Sequence, residues 1–194
     1  GERSEPMEYP PIIPLALVEY QNTPGTGWKQ VAYSRNLDQI FENVERAIMD
    51  KSIKNMTNET YLFDGTFKIV DGVEYTVGKY KIIKEKIGRK DSDIIHITEL
   101  PIPTATGGSE APLKYIEWLQ THEYLSTIIA DVVDNCSADK VNIKIVLKDD
   151  ALGLIKNKYG SKDFDCVEEG FQLRKSMKPC LCFTDKQGVV HEFK

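Results

Sequence analysis

The sequence predicts an α+β fold, a mostly antiparallel sheet flanked by helices and preceded by a proline- and glycine-rich arm. Three observations carry this prediction. Apolar residues recur at every second position through much of the middle of the chain and at helical spacing on either side of it, the two periods that separate strand from helix. Five prolines, at 6, 10, 11, 14 and 24, crowd the first 24 residues and preclude a regular helix there. The 194 residues are 41% hydrophobic and 28% charged, an ordinary globular composition at a length that buries a sizeable core. Residues 1–30 read as an extended arm with a loop, and residues 31–194 as the α+β domain.

Taken in order, Leu15 to Tyr20 is apolar enough for a short strand, and "NTPGTGW" (Asn22 to Trp28) for a tight loop. In "RNLDQIFENVERAIMD", Leu37, Ile40, Phe41, Val44, Ala47 and Ile48 share one helical face. Asn36 is placed to cap that helix and Asp38 to complement its positive N-terminus. The polar "KSIKNMTNET" reads as a loop. "FDGTFKIVDG", "VEYTVGKYKIIKEK" and "SDIIHITELP" are strand-like runs separated by Asp-Gly and "IGRKDSD". "TATGGSEAP" is a loop with Gly107-Gly108 as a flexible point. "LKYIEWLQ" and "YLSTIIADVVD" carry helical spacing, broken near Thr121-His122. In "KVNIKIVLK", Val141, Ile143, Ile145 and Leu147 alternate inward against Lys144 and Lys148, the clearest strand of the chain. "DALGLIKNKYG" reads as a short helix closed by Gly160. The remainder reads as a bend and then two short strands around "DKQG".

Several function classes are argued against by the residues themselves. The net charge is −5, whereas binding nucleic acid by bulk charge calls for a basic chain. "PPIIPLALV" is the longest apolar run, nine residues with three prolines, too short for a bilayer that takes about 20. No basic-then-apolar leader opens the chain, which predicts an intracellular protein. Cys136, Cys166, Cys180 and Cys182 contain no CxxC pair, so free thiols are expected rather than a zinc site. Gly25-x-Gly27 lacks the third glycine of a dinucleotide loop and the Gly-Lys-Ser/Thr of a P-loop, so it is a turn and not a phosphate cradle. Asp163 and Asp165 of "DFD" find nothing nearby to complete a coordination set. His96, His122 and His191 are scattered, and no nucleophile stands at a recognisable spacing from a base. Composition and spacing alone leave a domain with no visible catalytic constellation, which a non-catalytic acidic protein-interaction domain would also fit.

Four segments add a resemblance. "PIIPLALVEYQNTPGTGWK" resembles a segment of the type IIA DNA topoisomerases that reads roughly P-I-x-P-x-x-L-V-N-G-x-x-G-I-G-T-G-W-S, matching at Pro11, Ile12, Pro14, Leu17, Val18, Gly25, Thr26, Gly27 and Trp28. "ITELP" (Ile97 to Pro101), "FDGTF" and "FQLRKSMKPCLCFTDKQGVVHEF" resemble three further segments of that family, in family order. The flavour is that of the branch found in large cytoplasmic DNA viruses. The resemblance implies a tower domain and the DNA-facing arm leading into it, from an ATP-dependent homodimeric enzyme that passes one duplex through another. The parent enzyme would use ATP and Mg²⁺. This stretch would itself hold no cofactor, metal or catalytic tyrosine, and would neither cleave nor relax DNA alone. Its partner would be the double-stranded gate segment, with no role for a membrane. Its place would be the virus factory or host cytoplasm for a viral parent, and the nucleus for a cellular one.

The same resemblance implies the site residues. In the family an isoleucine between the loop glycines wedges between base steps, and Pro24 holds that position here. Proline is among the side chains that insert between base steps, so Pro24 is expected to intercalate, presented by Gly25, Thr26 and Gly27. Glu19-Tyr20 stand in place of Asn-Gly, and Thr23 in place of a glycine. Pro103 occupies a position where the family often has arginine, which leaves a DNA contact there in doubt. Trp28 is expected to pack the loop onto the sheet. Lys29, Arg35, Lys79 and Lys81 are candidate phosphate contacts.

Overall fold

The computed structural model describes residues 10–24, 28–60, 63–88, 90–102, 110–137, 140–185 and 187–193. The chain divides into two compact units, one of Gly1–Leu62 with Lys178–Lys194 and one of Phe63–Met177.

The first unit opens differently from the expectation at Leu15 to Tyr20. Leu15–Leu17 form a turn of 3-10 helix and not a strand. The amides of Leu17 and Val18 reach back to the carbonyls of Pro14 and Leu15, at 2.9 and 3.1 Å. Three nearby prolines offer no N–H to a sheet partner, so the local turn wins. Strands β1 (Gln21–Pro24) and β2 (Lys29–Ala32) then pair antiparallel from Gln21↔Ala32 to Pro24↔Lys29. Helix α1 (Leu37–Ile48) forms where its spacing predicts, and the Asn36 side chain accepts the Gln39 amide at 2.9 Å as its cap. Of its apolar face, Ile40 is buried, while Leu37, Phe41 and Ile48 keep 45%, 46% and 78% of their surface. The helix is latched instead by buried Asn43, whose amide group meets the Lys54 N–H and C=O, both at 2.9 Å.

The second unit carries two antiparallel sheets. Strands β3 (Thr66–Val70) and β4 (Val73–Val77) are joined by Asp71 and Gly72, both at positive φ (50° and 77°), the turn that matches strand twist. Strands β5 (Lys79–Ile87) and β6 (Lys90–Glu99) follow. Helix α2 (Glu110–Thr121), the short helix α3 (Leu125–Ile128) and strand β7 (Ile129–Asp134) come next. Strand β8 (Ile143–Leu147), helix α4 (Ala151–Tyr159), the short helix α5 (Cys166–Gly170) and strand β9 (Arg174–Ser176) complete it. The sheet orders are β3-β4-β9 and β5-β6-β8-β7.

"IADVVD" thus joins β8 as an edge strand and does not extend the helix before it. Its β-branched Ile129, Val132 and Val133 suit a pleated surface and pair with Leu147, Ile145 and Lys144. "VEYTVGKYKIIKEK", which alternates without a break, belongs to two sheets divided at Gly78. The main core lies between the four-stranded sheet and the helices: Ile95, Ile97, Ile143, Ile145 and Leu147 from the sheet meet Tyr115, Leu119, Ile155, Val167 and Phe171. The inward alternation predicted for β8 holds, with Lys144 turned away toward Glu85 at 2.8 Å.

Asp165 of "DFD" caps α5. It accepts the Val167 amide at 2.8 Å while Glu168 accepts the Asp165 amide at 3.1 Å, a reciprocal capping box. Glu168 is further held by the Lys68 ammonium, 3.0 Å from both oxygens. Burial works against the Asp165 charge, but bonds from the Val167 amide, the Tyr80 hydroxyl and the Cys166 thiol outweigh it and hold the carboxyl below its ordinary value. A depressed folded value adds stability that is present above the ordinary carboxylate range and lost as pH falls through the folded value. Asp165→Ala is expected to cost about 1 kcal/mol in urea unfolding at neutral pH. The gap to wild type should narrow below about pH 4, and a gap independent of pH would refute the charged cap.

The chain returns to the first unit with β10 (Leu181–Thr184) and β11 (Val190–Phe193), the two strands expected around "DKQG". Asp185 closes their turn by accepting the Gln187 and Val189 amides, both at 2.9 Å. Cys180 bridges back to Val31 of β2, each amide donating to the other's carbonyl at 3.0 and 2.7 Å.

Candidate nucleic-acid interface

The glycine-rich loop is the tip of the β1–β2 hairpin. Its root is fixed: Val31, Ala32 and Tyr33 are buried, the Tyr33 hydroxyl accepts the Lys178 amide at 3.2 Å, and the Tyr20 and Tyr33 rings lie 5.2 Å apart. Burial raises both phenols above their ordinary value, so neither ionises near neutral pH. The tip is open: Pro24 and Lys29 are both exposed. Pro24 ends β1 directly across from Lys29. Proline suits a strand end because it has no amide to leave unpaired. Gly25, Thr26 and Gly27 lie outside the described residues, as does Pro103. Trp28, expected to pack the loop down, keeps 50% of its surface, so β2 and its bridge to Cys180 carry the anchoring.

The candidate cations fall into two sets. Lys29 stands beside Pro24 on the hairpin. Arg35 lies further along the same segment, with its amide on the Leu17 carbonyl at 2.8 Å and its guanidinium on the Met56 carbonyl at 3.4 Å. It is half-buried, and part of its donor set serves the fold. Lys79 and Lys81 belong to the second unit. They are exposed at the start of β5, an edge strand, across from Glu99 and His96. Lys84 and Lys86 continue this lysine-rich edge; lysines on an edge strand also discourage unwanted strand pairing.

"FDGTF" and "ITELP", far apart in sequence, meet in the second unit. A Cβ on Gly65 would lie 2.3 Å from the Val77 carbonyl oxygen, and one on Gly78 would lie 2.4 Å from that of Glu99. The Glu99 carboxylate accepts the amides of Asp64 and Leu100 at 3.3 and 3.1 Å, and burial pushes its carboxyl up from the ordinary value. Buried Thr76 donates to the Ile102 carbonyl at 2.6 Å. This close backbone packing gives both motifs a structural reason. Sequence reading missed it because nothing in either segment announces the other.

The histidines are structural. His96 bonds Asn142 at 2.9 Å, His122 accepts the amides of Tyr124 and Leu125 at 3.3 and 3.2 Å, and His191 bonds Asp185 at 2.8 Å. Among the described residues there is no group of three or more metal-ligating side chains, and no helix is long and apolar enough to cross a membrane.

Comparison with known proteins gives these features a family. The family model for the A subunit of DNA gyrase/topoisomerase IV matches residues 1–192. DNA topoisomerase 2 of African swine fever virus (strain Badajoz 1971 Vero-adapted) is 29% identical over 210 residues, covering 100% of this chain and 16% of that protein. DNA topoisomerase 2 of Acanthamoeba polyphaga mimivirus is 34% identical over 110 residues, covering 56% of this chain and 8% of that protein. The crystal structure of the Plasmodium falciparum topoisomerase II DNA-binding, cleavage and re-ligation domain superposes with a TM-score of 0.71 at 25% identity, over 97% of this chain and 24% of that one. The chain therefore spans a small fraction of the relatives it matches. A whole-length match, an α+β fold shared with a solved relative and the four motif segments in order together place this chain in the DNA gyrase/topoisomerase IV family of type II topoisomerases, among its A subunits.

Proposed function

We propose that this chain is the tower-containing part of the DNA-binding and cleavage core of an ATP-dependent type IIA topoisomerase, and that its work is to bind and bend the gate duplex. The parent acts inside the cell as a homodimer with ATP and Mg²⁺, and supplies the catalytic tyrosine from outside this chain. Residues 1–30 are the DNA-facing arm, and Gly25, Thr26 and Gly27 shape the loop beside the wedge. The observation that carries the reading is the placement of Pro24, an exposed apolar residue at the open end of a hairpin with a buried root. Such a side chain enters a base step at a cost of a few kcal/mol of unstacking, offset by the contacts that a bent duplex permits. Lys29, directly across the hairpin, is placed for the phosphate that flanks that step; Lys79, Lys81 and Arg35 are further candidates for backbone contact, which supplies affinity without reading sequence.

The test is made in the dimeric cleavage core that contains this chain. Pro24→Ala should reduce gate-DNA bending, read by energy transfer between labels on the two duplex arms, and should reduce cleavage with it. Lys29→Ala should weaken binding evenly across sequences and lower the slope of log affinity against log salt by about 1. Unchanged bending and cleavage in Pro24→Ala would remove the wedge. Salt-independent binding, or none, would favour a non-catalytic protein-interaction domain. The isolated chain should relax no supercoiled plasmid.

A further inference from the structure

Cys180 and Cys182 stand two residues apart where the chain pairs with β2 on one side and with β11 on the other. Alternation along a strand puts both thiols on one face. Both are half-exposed and free. The Cys180 thiol donates to the Lys29 carbonyl at 3.1 Å, so the pair abuts the strand that carries the hairpin tip. Residues two apart in an extended strand have Cα atoms separated by about 6.6 Å, within the span of roughly 4.4–6.8 Å that a disulfide bridges.

We propose that Cys180 and Cys182 form a reversible dithiol–disulfide couple, oxidised by hydrogen peroxide, whose state sets how firmly β2 is held at Lys29. The step balances simply. One thiol takes an oxygen from peroxide to become a sulfenic acid, releasing water. The second sulfur then attacks the first, forming the S–S bond and releasing a second water. Peroxide is reduced, and the two thiols are oxidised by two electrons in all. Closure draws the Cys180 sulfur away from the Lys29 carbonyl, so that S–H···O bond is lost while the backbone bridge between Cys180 and Val31 remains. A bridge near the upper limit of Cα separation and open to solvent belongs to the labile, easily reduced class of disulfides. Burial, a hydrogen bond to the Cys180 sulfur and the Glu192 carboxylate across the hairpin all push the Cys182 thiol up from its ordinary value. Oxidation should therefore quicken as pH rises, since the thiolate is the reactive form.

The experiment treats the 194-residue chain with stoichiometric hydrogen peroxide. Intact mass should fall by about 2 Da for one disulfide, digestion should return a peptide linked between Cys180 and Cys182, and dithiothreitol should restore the starting mass. In Cys180→Ser and in Cys182→Ser the loss should vanish, and dimedone should trap a sulfenic acid on the remaining cysteine. Amide hydrogen exchange over residues 29–32 should speed up several-fold on oxidation of wild type, and should not respond to peroxide in Cys182→Ser. A 2 Da loss that persists in either variant, or wild type that yields no linked peptide, would overturn the couple. Unchanged exchange over 29–32 in the disulfide form would overturn its link to β2. Any effect on DNA rests on the proposed function and is read separately, by comparing reduced and oxidised cleavage core on the same duplex. Failure of the reduced core to bind would count against the gate-binding reading and leave the mass result standing.

Discussion

Replacing Phe171 with alanine is expected to cost the second unit about 3–5 kcal/mol of stability, the range for truncating a fully buried aromatic side chain. Phe171 has none of its surface exposed and packs within the cluster that joins the four-stranded sheet to the helices. Its carbonyl also accepts the hydroxyl of buried Tyr115 at 2.7 Å, which leaves the surrounding backbone little freedom to collapse into the void. A close-packed interior converts such a void into lost contacts on every side. The two tryptophans make the measurement clean. Trp118 is in the second unit, 5.6 Å from the Tyr115 ring, and Trp28 is in the first. In a Trp28→Phe background, urea unfolding followed by Trp118 fluorescence should show a large drop in midpoint with little change in slope. A loss below about 1 kcal/mol would mean that the site relaxes freely, against the packing argument.

Gly78→Ala carries the second large effect. The added methyl would lie 2.4 Å from the Glu99 carbonyl oxygen, and that oxygen is backbone. The Gly78 amide is meanwhile held by the Leu173 carbonyl at 2.8 Å. The chain cannot move away from Glu99 without stretching that bond. Overpacking against immobile atoms costs about 1–3 kcal/mol or more. Gly153→Ala is the matching control. It sits inside α4 with nothing within 4 Å of the added carbon, and alanine there should stabilise by roughly 0.5–1 kcal/mol. The same Trp118 titration should separate the two glycines by sign. Equal effects would show that helix propensity, and not the approach to Glu99, governs both.

The contrast between those glycines also shows what is legible in the sequence. The elements that can be read are those whose signal is local. Asn36 announces α1, Asp71-Gly72 announces a hairpin, and alternation through Ile143, Ile145 and Leu147 announces β8. Gly78 is opaque because alternation runs through it unbroken; only the partner strands reveal that one sheet ends and another begins there. Strand β7 is hidden for the same reason, since "IADVVD" satisfies helical spacing and becomes a strand by pairing with β8. The cap Asp165-x-x-Glu168 is a local sign of α5, yet it is masked by the resemblance of "DFD" to a metal-binding pair. At the candidate site, the loop and its flanking residues are visible from the family resemblance. That Arg35 lends its guanidinium to Met56 is not, because a backbone carbonyl leaves no mark in a sequence.

The bridge between β2 and Cys180 bears on the order in which the molecule is made. Cys180 and Lys29 are 151 residues apart. Closing so long a loop from a disordered chain carries an entropy cost on the order of 4 kcal/mol beyond its constant part. The second unit shortens that path. Its first and last strands, β3 and β9, flank β4, with Lys68 and Ser176 both opposite Tyr75, about 10 Å from each other at ordinary strand spacing. Once that unit has folded, the ends of the intervening chain are already neighbours, and β2 waits for β10 across a short tether. On a ribosome the hairpin that bears Pro24 emerges early, yet its outer edge is completed by residues near the end of this chain. Folding therefore proceeds from the middle outward, and the segment proposed to touch DNA is among the last to become rigid.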